Sequence, residues 1–512
     1  MIDALTDRMG RIIATPRGFY IFVGLYIGAV FLARAVPFPG SSDDTAELLL
    51  HSQYFAWGYE LKNPPLMSWL VIAAQQLFGV SLLSVEAVKF ALLLLAYLFL
   101  YRAAREILKD DRLAALAALS PVALYSVAWI LAWKYSHSVL VLTMCVVTFY
   151  ALLRLEKRGD LASYVIFGVI TGLGLIAKYN YLLFVIALIV AMMTEPGLRA
   201  RLGDRRILLS FAIALAIALP PLVWFVAHSG ELQGLIDYKF QISPEKDRLG
   251  AAGLGLISVA KAYLDFLMPL IFLLALFFWR AFTPLRAGAV PSDRWRPVLG
   301  ISLLLMTAAI LVAVLAFGAS RFQFRYLYVF ILFPIYFFAR VQGIGAGERA
   351  LNRFGAVLML LGAVVPLLWL AKFWFEPLWC RKCPLHIPYP ALAEDIRRAG
   401  FERGTIVSHF SRYKNGGILR PFFPDARIVD LKLLDLADPP PNVDAGQCLL
   451  IWDDVDDASV REGVIALAGR RFDVEAKALT PMQTIARPMV NGPKRIIRLG
   501  FIVIPGGAGK CR

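Results

Sequence analysis

Long apolar runs separated by short polar turns fill the first 372 residues of the chain. A run of about 20 mostly apolar residues is enough for a helix to cross roughly 30 Å of hydrocarbon. The pattern therefore predicts a polytopic helical membrane domain with about eleven transmembrane helices. The predicted spans are residues 18–36, 83–104, 112–132, 138–154, 161–177, 181–195, 207–227, 253–279, 298–317, 326–341 and 354–372.

The segment after the first span, residues 37–82 (the first loop), concentrates the acidic groups. Asp43 and Asp44 are adjacent, and Glu47 follows Asp44 by one helical turn. The apolar spacing predicts an amphipathic helix that leads from these acids to a Pro-Pro stop, and a second interfacial helix over 63–78. As an alternative, Asp43 and Asp44 serve only to cap the first helix. The aromatic and apolar positions of the first loop are Leu48, Tyr54, Phe55, Trp57 and Tyr59, with Lys62 after them.

Basic and aromatic groups occupy four other turns, which the alternation of spans places at the same membrane face as the first loop. Segregation of acids in one loop and cations in the others indicates a shared polar site. Each group also has a simpler interpretation: a packed histidine, a snorkelling lysine, a solvated loop or a headgroup anchor. The candidate residues are Lys134 and His137; Lys178 and Tyr179; Tyr238, Lys239, Lys246 and Arg248; and Arg321, Arg325 and Tyr326.

Composition supports a membrane protein and sets its orientation. The chain is 59% apolar and 18% charged, with a net charge of +16, and its mean hydropathy is +0.66. With the N-terminus inside, about twenty Lys and Arg lie in inner segments against about eight in the short outer loops, as the positive-inside rule expects. The surplus charge therefore needs no nucleic acid partner. No cleavable signal peptide is expected at the start, and the first loop and the C-terminal region are expected in the periplasm.

Residues 373–512 (the tail domain) are different in composition and predict a small periplasmic α/β domain. Strands are expected within 404–410, 426–432, 447–454 and 494–504, and helices within 391–400 and 458–469. Cys380, Cys383, Cys448 and Cys511 are compatible with disulfides in three pairings. The Cys380–Cys383 spacing is a weak zinc signal, since no second such pair follows.

A site with carboxylates and cations near lipid suits sugar transfer from a polyprenyl phosphate. A carboxylate would accept the proton of the acceptor hydroxyl, and Lys or Arg would stabilise charge on the departing phosphate. A groove at membrane level would hold the prenyl chain. One rival is a flippase for lipid-linked sugars, which usually has repeated halves and charges at the bilayer midplane. Another is a polysaccharide polymerase or ligase of the same architecture.

The first loop resembles that of bacterial GT-C glycosyltransferases, the relatives of protein O-mannosyltransferases and of the lipid A aminoarabinose transferase. The resemblance lies in Asp44-Thr45-Ala46-Glu47, Gly58-Tyr59, Pro64-Pro65-Leu66 and Trp69. Looser matches are GVITGLGLIAKYNYLL, with Lys178 and Tyr179, and RFQFRYLYVFILFPIYFFAR, with Arg325, Tyr326 and Pro334. A membrane part joined to a short α/β tail looks closest to transferases that modify lipid A or polysaccharide in rhizobia-like bacteria.

This resemblance implies an inverting transferase of the bacterial inner membrane that uses a polyprenyl-phosphate sugar, with residues 1–372 as the GT-C domain. Asp44 would be the catalytic acidic residue, supported by Asp43 or Glu47. Thr45 stands where many relatives carry a second acid, so Asp43 remains an alternative. The acceptor would be lipid A, lipopolysaccharide core or another envelope glycan. No cofactor is expected to be required; a divalent metal is compatible but not indicated.

Roles for the remaining residues follow from the same interpretation. Lys178, Arg325 and the 239–248 loop are expected to hold the donor phosphate. Trp57, Tyr59 and Lys62 are expected to shape the sugar or acceptor pocket. Lys134 and His137 stand in a turn where relatives often have an Asp, which weighs against a metal there.

Overall fold

A computed structural model gives the architecture of most of the chain. The described residues are 2–231, 233–234, 236, 240, 248–283, 294–380, 383–410, 416–430, 446–453, 455–456, 458–472 and 482–505. The chain forms two compact units. The first contains Met1–Ala29, Leu61–Pro64 and Phe90–Val365, and the second contains Val30–Glu60, Pro65–Lys89 and Pro366–Arg512.

Long apolar helices dominate the fold, as the sequence predicts. Among the described residues, seven helices are long and apolar enough to cross a membrane, or eight if a bent pair counts as one span. The other three of the eleven predicted spans hold shorter or broken helices, so the count of eleven stays a prediction. The seven are Pro16–Ala35, Leu82–Leu108, Ser136–Arg158, Ile207–Ala227, Gly250–Leu267, Trp295–Phe317 and Glu348–Leu378.

The bent pair and the shorter helices account for most of the remaining predicted spans. Phe324–Phe330, a 3-10 helix, is followed by Phe333–Gly343 at an angle of 52°. The helices Leu161–Leu175 and Tyr181–Met193 flank the turn that carries Lys178. Two further short helices are Ile2–Ile13 and Pro196–Leu202.

Two predicted spans are interrupted rather than continuous. The 112–132 span consists of Asp111–Leu119, a 3-10 turn, a π-helical turn over Ser126–Ile130 and Leu131–Trp133. The 253–279 span divides into Arg248–Leu267 and Leu270–Phe278. The two breaks bond each other: the Tyr125 N–H donates to the Met268 carbonyl at 2.9 Å. Non-helical backbone at membrane depth persists only where protein satisfies it, and this mutual pairing does so.

In the first loop the acidic segment forms a shorter helix than expected. The helix Asp43–His51 (the acidic helix) ends where the Ser52 N–H bonds back to the Leu48 carbonyl. The prediction of a continuous helix to Pro64 is therefore wrong. Residues 52–65 form turns, because side chains such as Tyr59 satisfy the local backbone instead. The second interfacial helix is present as Leu66–Phe78.

The tail domain is an α/β fold. Its described strands are β1 (Gly404–His409), β2 (Arg427–Asp430), β3 (Gln447–Trp452), β4 (Gln483–Met489) and β5 (Gly492–Ile504). They form one sheet in the order β2-β1-β3-β5-β4, parallel on the β2-β1-β3 side and antiparallel on the other. The described helices of the domain include Tyr389–Arg398 and Ala458–Phe472.

An apolar core packs the second helix of the domain against the sheet. Val464 and Leu467 of the second helix pack with Val407, Leu450 and Trp452 of the parallel strands. Cys380 and Cys383 form a disulfide, so the zinc interpretation of this pair is wrong. Cys448 is also disulfide-bonded, and Cys511 lies outside the described residues.

Candidate active site

The acidic helix presents its three carboxylates on one partly exposed strip. Ser42 is the N-cap, and its hydroxyl accepts from the Thr45 N–H at 3.3 Å. Asp43 and Asp44 therefore lie in the first turn, where the helix dipole favours negative charge, and neither is the cap. Asp43, Asp44 and Glu47 are half-buried, whereas Leu48 and the apolar positions around it are buried.

A buried ion cluster lies behind this helix in the second unit. Glu86 accepts from the Thr45 hydroxyl at 3.1 Å, and its carboxylate is 2.5 Å from Lys89 Nζ and 3.6 Å from Arg34 Nη2. None of the three charged side chains is more than 3% exposed. The Asp44 carboxylate adds a further attraction for the Lys89 ammonium. The cluster thus couples the acidic helix to the ends of two membrane helices.

Two carboxylates approach each other within the second unit. A Glu47 oxygen lies within 4.8 Å of a Glu60 oxygen, and Glu60 is only 6% exposed. Carboxylate oxygens this close can be ligands of one hard divalent cation. The pair is therefore a place in the described part of the first loop at which a cation could be held.

The aromatic residues after the acidic helix divide into a buried and an exposed set. Tyr59 is buried and stacks on His51 with ring centroids 5.0 Å apart. Its hydroxyl donates to the Tyr54 carbonyl at 2.8 Å, and burial raises the pKa of this hydroxyl to about 12. Trp57 is 47% exposed and packs edge-on against Trp69. Trp57 therefore offers an accessible ring surface, and Tyr59 supports the turn.

In the first unit, three of the predicted cationic turns meet at one place. Lys178 Nζ donates to the Ser138 hydroxyl at 2.6 Å, and the Asn180 side chain donates to the Tyr326 carbonyl at 3.1 Å. The Arg325 guanidinium lies 5.8 Å from the Tyr135 ring centre. The turns 177–180 and 318–326 thus contact each other, and Lys178 and Arg325 both contact the segment 135–138.

Tyr135, whose ring lies beside Arg325, has an uncommon backbone conformation. It has φ 60° and ψ 48°, a left-handed geometry that is unfavourable for a bulky residue. Strain of this kind persists only where surrounding contacts impose it, and it is concentrated at functional sites. Here it starts the helix Ser136–Arg158 and places the Tyr135 ring beside Arg325.

The other predicted site residues of the first unit have varied surroundings. Lys134 Nζ lies 4.0 Å above the Trp133 ring, and His137 is 4% exposed. Tyr179 is exposed, with its ring 5.2 Å from that of Phe225. Lys62 is half-buried and Arg321 exposed. Arg248 begins a helix; Tyr238, Lys239 and Lys246 lie outside the described residues.

An apolar cavity of about 560 Å³ lies in the first unit between three of its membrane-level helices. Its walls come from Leu161–Leu175, Tyr181–Met193 and Ile207–Ala227, and Arg199 lies at its edge. The volume is within the range of small-ligand sites, and the lining suits a hydrocarbon chain.

Comparison with known proteins agrees with this architecture. The family model described as dolichyl-phosphate-mannose-protein mannosyltransferase matches residues 62–224. The chain is 31% identical over 448 residues to the lipopolysaccharide core galacturonosyltransferase RgtA of Rhizobium johnstonii, covering 84% of this chain and 86% of RgtA. It belongs to this family of bacterial GT-C glycosyltransferases. A second relative of this transferase is the core galacturonosyltransferase RgtB of the same organism, 32% identical over 326 residues, covering 63% of this chain and 65% of RgtB.

Solved structures show the same fold. ArnT of Cupriavidus metallidurans, crystallised with undecaprenyl phosphate, superposes with a TM-score of 0.59 at 14% identity, covering 94% of the transferase and 97% of ArnT. The apo form of ArnT gives a TM-score of 0.58. These structures confirm the predicted GT-C membrane fold, and the similarity to RgtA and RgtB confirms the assignment as an enzyme.

The sequence analysis named the carboxylates of the acidic helix as site candidates, but it did not name the charged residues that surround this helix in the transferase. Glu60, Glu86, Lys89 and Arg34 are not among the predicted site residues. A signal was present for one pair, because Glu86 and Lys89 stand three residues apart at the start of an otherwise apolar helix. Charged groups inside a membrane segment are functional candidates by default.

Proposed function

We propose that the transferase moves a galacturonosyl group from a polyprenyl phosphate to the core or lipid A part of lipopolysaccharide. The observation that carries this proposal is the similarity to RgtA, which extends over 86% of that enzyme. The crystallised complex of ArnT with undecaprenyl phosphate supports a lipid-linked donor. Positive charges at the predicted inner segments support a site at the periplasmic face of the inner membrane.

Asp44 is the base in this proposal. Its carboxylate is half-buried at the start of the acidic helix, where the helix dipole favours negative charge and the side chain can reach a substrate. It takes the proton from the acceptor hydroxyl as the hydroxyl oxygen attacks the anomeric carbon from the side opposite the phosphate. The C–O bond to the phosphate breaks, and the configuration inverts. Asp43 and Glu47 support Asp44.

Lys178 and Arg325 stabilise the departing polyprenyl phosphate. Preorganised cations aimed at developing negative charge often contribute more to such a reaction than any other group does. The Ser138 hydroxyl holds the Lys178 ammonium, and the Tyr135 ring supports the Arg325 guanidinium. Neither side chain then needs to reorganise when the phosphate gains charge.

The direct test replaces Asp44 by Asn in proteoliposomes supplied with polyprenyl-phosphate galacturonic acid and lipopolysaccharide. We expect the rate of transfer to fall by about 10²–10⁴, because a general base contributes on that order. Asp43→Asn is measured alongside: Asp43 shares the same turn and the same half-buried setting but only supports Asp44, so its loss of rate should be clearly smaller. Transfer by Asp44→Asn at the wild-type rate would show that the role assigned to Asp44 is wrong.

The substrates are tested separately by mass spectrometry of lipopolysaccharide from cells with and without the gene. Loss of one uronate-sized unit from the core or lipid A is the expected result. Loss of a hexose- or pentose-sized unit would contradict the proposed donor, and loss of a polymer would favour a polymerase or ligase.

A further inference from the structure

The C-terminal end of the acidic helix is held by an arginine of the tail domain. Arg420 Nη1 lies 3.0 Å from the Leu49 carbonyl, 2.6 Å from the Ser52 hydroxyl and 2.9 Å from the Gln75 side-chain oxygen. All these residues belong to the second unit. One guanidinium nitrogen therefore joins the acidic helix, the helix Leu66–Phe78 and the tail domain.

The setting of Arg420 is unusual for a structural arginine. The side chain is 8% exposed, and burial lowers the pKa of its guanidinium to about 10. These three acceptors of Nη1 are neutral oxygens, one of them a carbonyl in the last turn of a helix, where the dipole attracts a cation. A buried cation is costly unless its hydrogen bonds are well made, so this position depends on the acidic helix being in place.

A second contact ties the same helix end to the edge of the sheet. The Gln53 amide nitrogen donates to the Ile428 carbonyl at 3.0 Å, and the Ile428 N–H donates to the Gln53 oxygen at 2.8 Å. Gln53 also donates to the Leu50 carbonyl of the acidic helix at 2.9 Å. Ile428 lies in the edge strand β2, so the Gln53 side chain replaces the missing neighbour strand at that residue.

We propose that the tail domain is a positioning domain: Arg420, together with the Ile428 backbone that bonds Gln53, fixes the acidic helix and so aims its carboxylates. Asp43 is about 12 Å along the helix from His51, so a small tilt at the fixed end displaces the acids. Displacement of a reacting group by 1 Å can cost on the order of 10²-fold in rate. The catalytic consequence rests on the proposed function; the fixing of the helix does not.

The test uses the full chain in nanodiscs and compares Arg420→Gln with Arg397→Gln. Arg397 is a matched control, because it also belongs to the tail domain and donates to a backbone carbonyl, that of Phe422 at 2.6 Å, but is 44% exposed. Hydrogen exchange of the amides of residues 47–53 is measured without substrate. We expect at least about tenfold faster exchange in Arg420→Gln and no change in Arg397→Gln, since local opening follows lost contacts.

Kinetics supply the second readout. We expect Arg420→Gln to lower kcat by about 10- to 100-fold while KM for the donor stays within about threefold. Arg420→Lys should restore part of kcat, because a lysine can donate to the helix carbonyl but lacks the planar fork of arginine. Unchanged exchange in residues 47–53 would overturn the proposal, and so would faster exchange with an unchanged kcat.

A variant that unfolds the tail domain is recognised by faster exchange in β1 and β3. In that case Gln53→Leu, which removes the contact with Ile428 and keeps the side-chain size, becomes the deciding variant, with the same expected and contradicting results. An error in the proposed substrates would abolish transfer by the unaltered enzyme as well, and would leave the exchange results unaffected.

Discussion

The buried charges around Glu86 are balanced in part by the acidic helix. The Glu86 carboxylate faces two buried cations, Lys89 and Arg34, so the three groups alone carry one excess positive charge. Attraction between Asp44 and Lys89 reduces that excess. Buried ions are tolerated when they are paired and hydrogen-bonded, and Asp44 is thus part of the charge balance as well as the proposed base.

Removing the negative charge should therefore destabilise the protein strongly. We expect Glu86→Gln to cost about 3–5 kcal/mol, because loss of one partner leaves uncompensated buried charge. Lys89→Met leaves the Arg34–Glu86 pair and should cost clearly less. Glu106→Gln is the control: Glu106 pairs with Lys157 at 3.0 Å on the surface, where a pair contributes less than about 1 kcal/mol.

The measurement is the denaturation midpoint of each variant in detergent micelles. A midpoint for Glu86→Gln equal to that of Glu106→Gln would contradict the ionic interpretation of the cluster.

A single residue can be recognised from the sequence as a site candidate when its side chain is unusual for its segment. The acids of the first loop stand out because they follow a membrane span directly, and Lys178 because it separates two apolar runs. Arg34 and Arg420 could not be assigned in this way. Their roles depend on partners 52 residues away in Glu86 and 371 residues away in Leu49, and no local pattern encodes such contacts.

At the scale of elements, apolar length predicts where helices lie but not where they break. Pro269 separates two helices, whereas Pro220 and Pro221 lie inside the continuous helix Ile207–Ala227. The difference is tertiary, because the backbone beside Pro269 finds a partner in the break at Tyr125. Strand β4 was not among the predicted strands. It contains Pro488 and lies at an edge of the described sheet, the position to which proline is usually confined.

The apolar cavity permits a prediction at the same scale. If it holds part of the prenyl chain, Leu215→Trp, which fills the cavity from the helix Ile207–Ala227, should raise KM for a long-chain donor. The increase should be about 3- to 10-fold, because a chain expelled from the cavity enters lipid rather than water and loses only packing contacts. A donor with a single short prenyl unit should be unaffected.

Leu219→Trp is the matched control for this test. Leu219 is four residues further along the same helix and has a similar exposure, 48% against 43% for Leu215, but it does not line the cavity. Equal KM values for both variants with the long-chain donor would remove the cavity from the donor site.

At the scale of the whole molecule, the two units draw on distant parts of the chain. The second unit combines the first loop with the tail domain, and the contact between Gln53 and Ile428 spans 375 residues. The composition change near residue 373 predicted a separate domain of the right class. It could not predict that this domain contacts the acidic helix, since complementary shapes and hydrogen bonds leave no periodic signal in a sequence.

The closeness of Glu47 and Glu60 raises the question whether the whole enzyme needs a divalent metal for transfer. We propose that transfer needs no divalent metal, because Lys178 and Arg325 supply the positive charge that a metal would otherwise give the leaving phosphate. Activity after exhaustive treatment with EDTA should stay within about twofold of the untreated value, since no step passes through a Lewis acid.

Glu60→Gln separates the two states of this pair. If the pair holds no cation, the substitution removes no ligand and transfer should persist. If the pair binds a cation, the amide is a poorer ligand than a carboxylate for a hard divalent ion, so transfer should fall. Loss of activity in EDTA, recovery with added Mg²⁺ or Mn²⁺, and a weakened recovery in Glu60→Gln would together assign a metal to Glu47 and Glu60 and contradict the metal-free reaction.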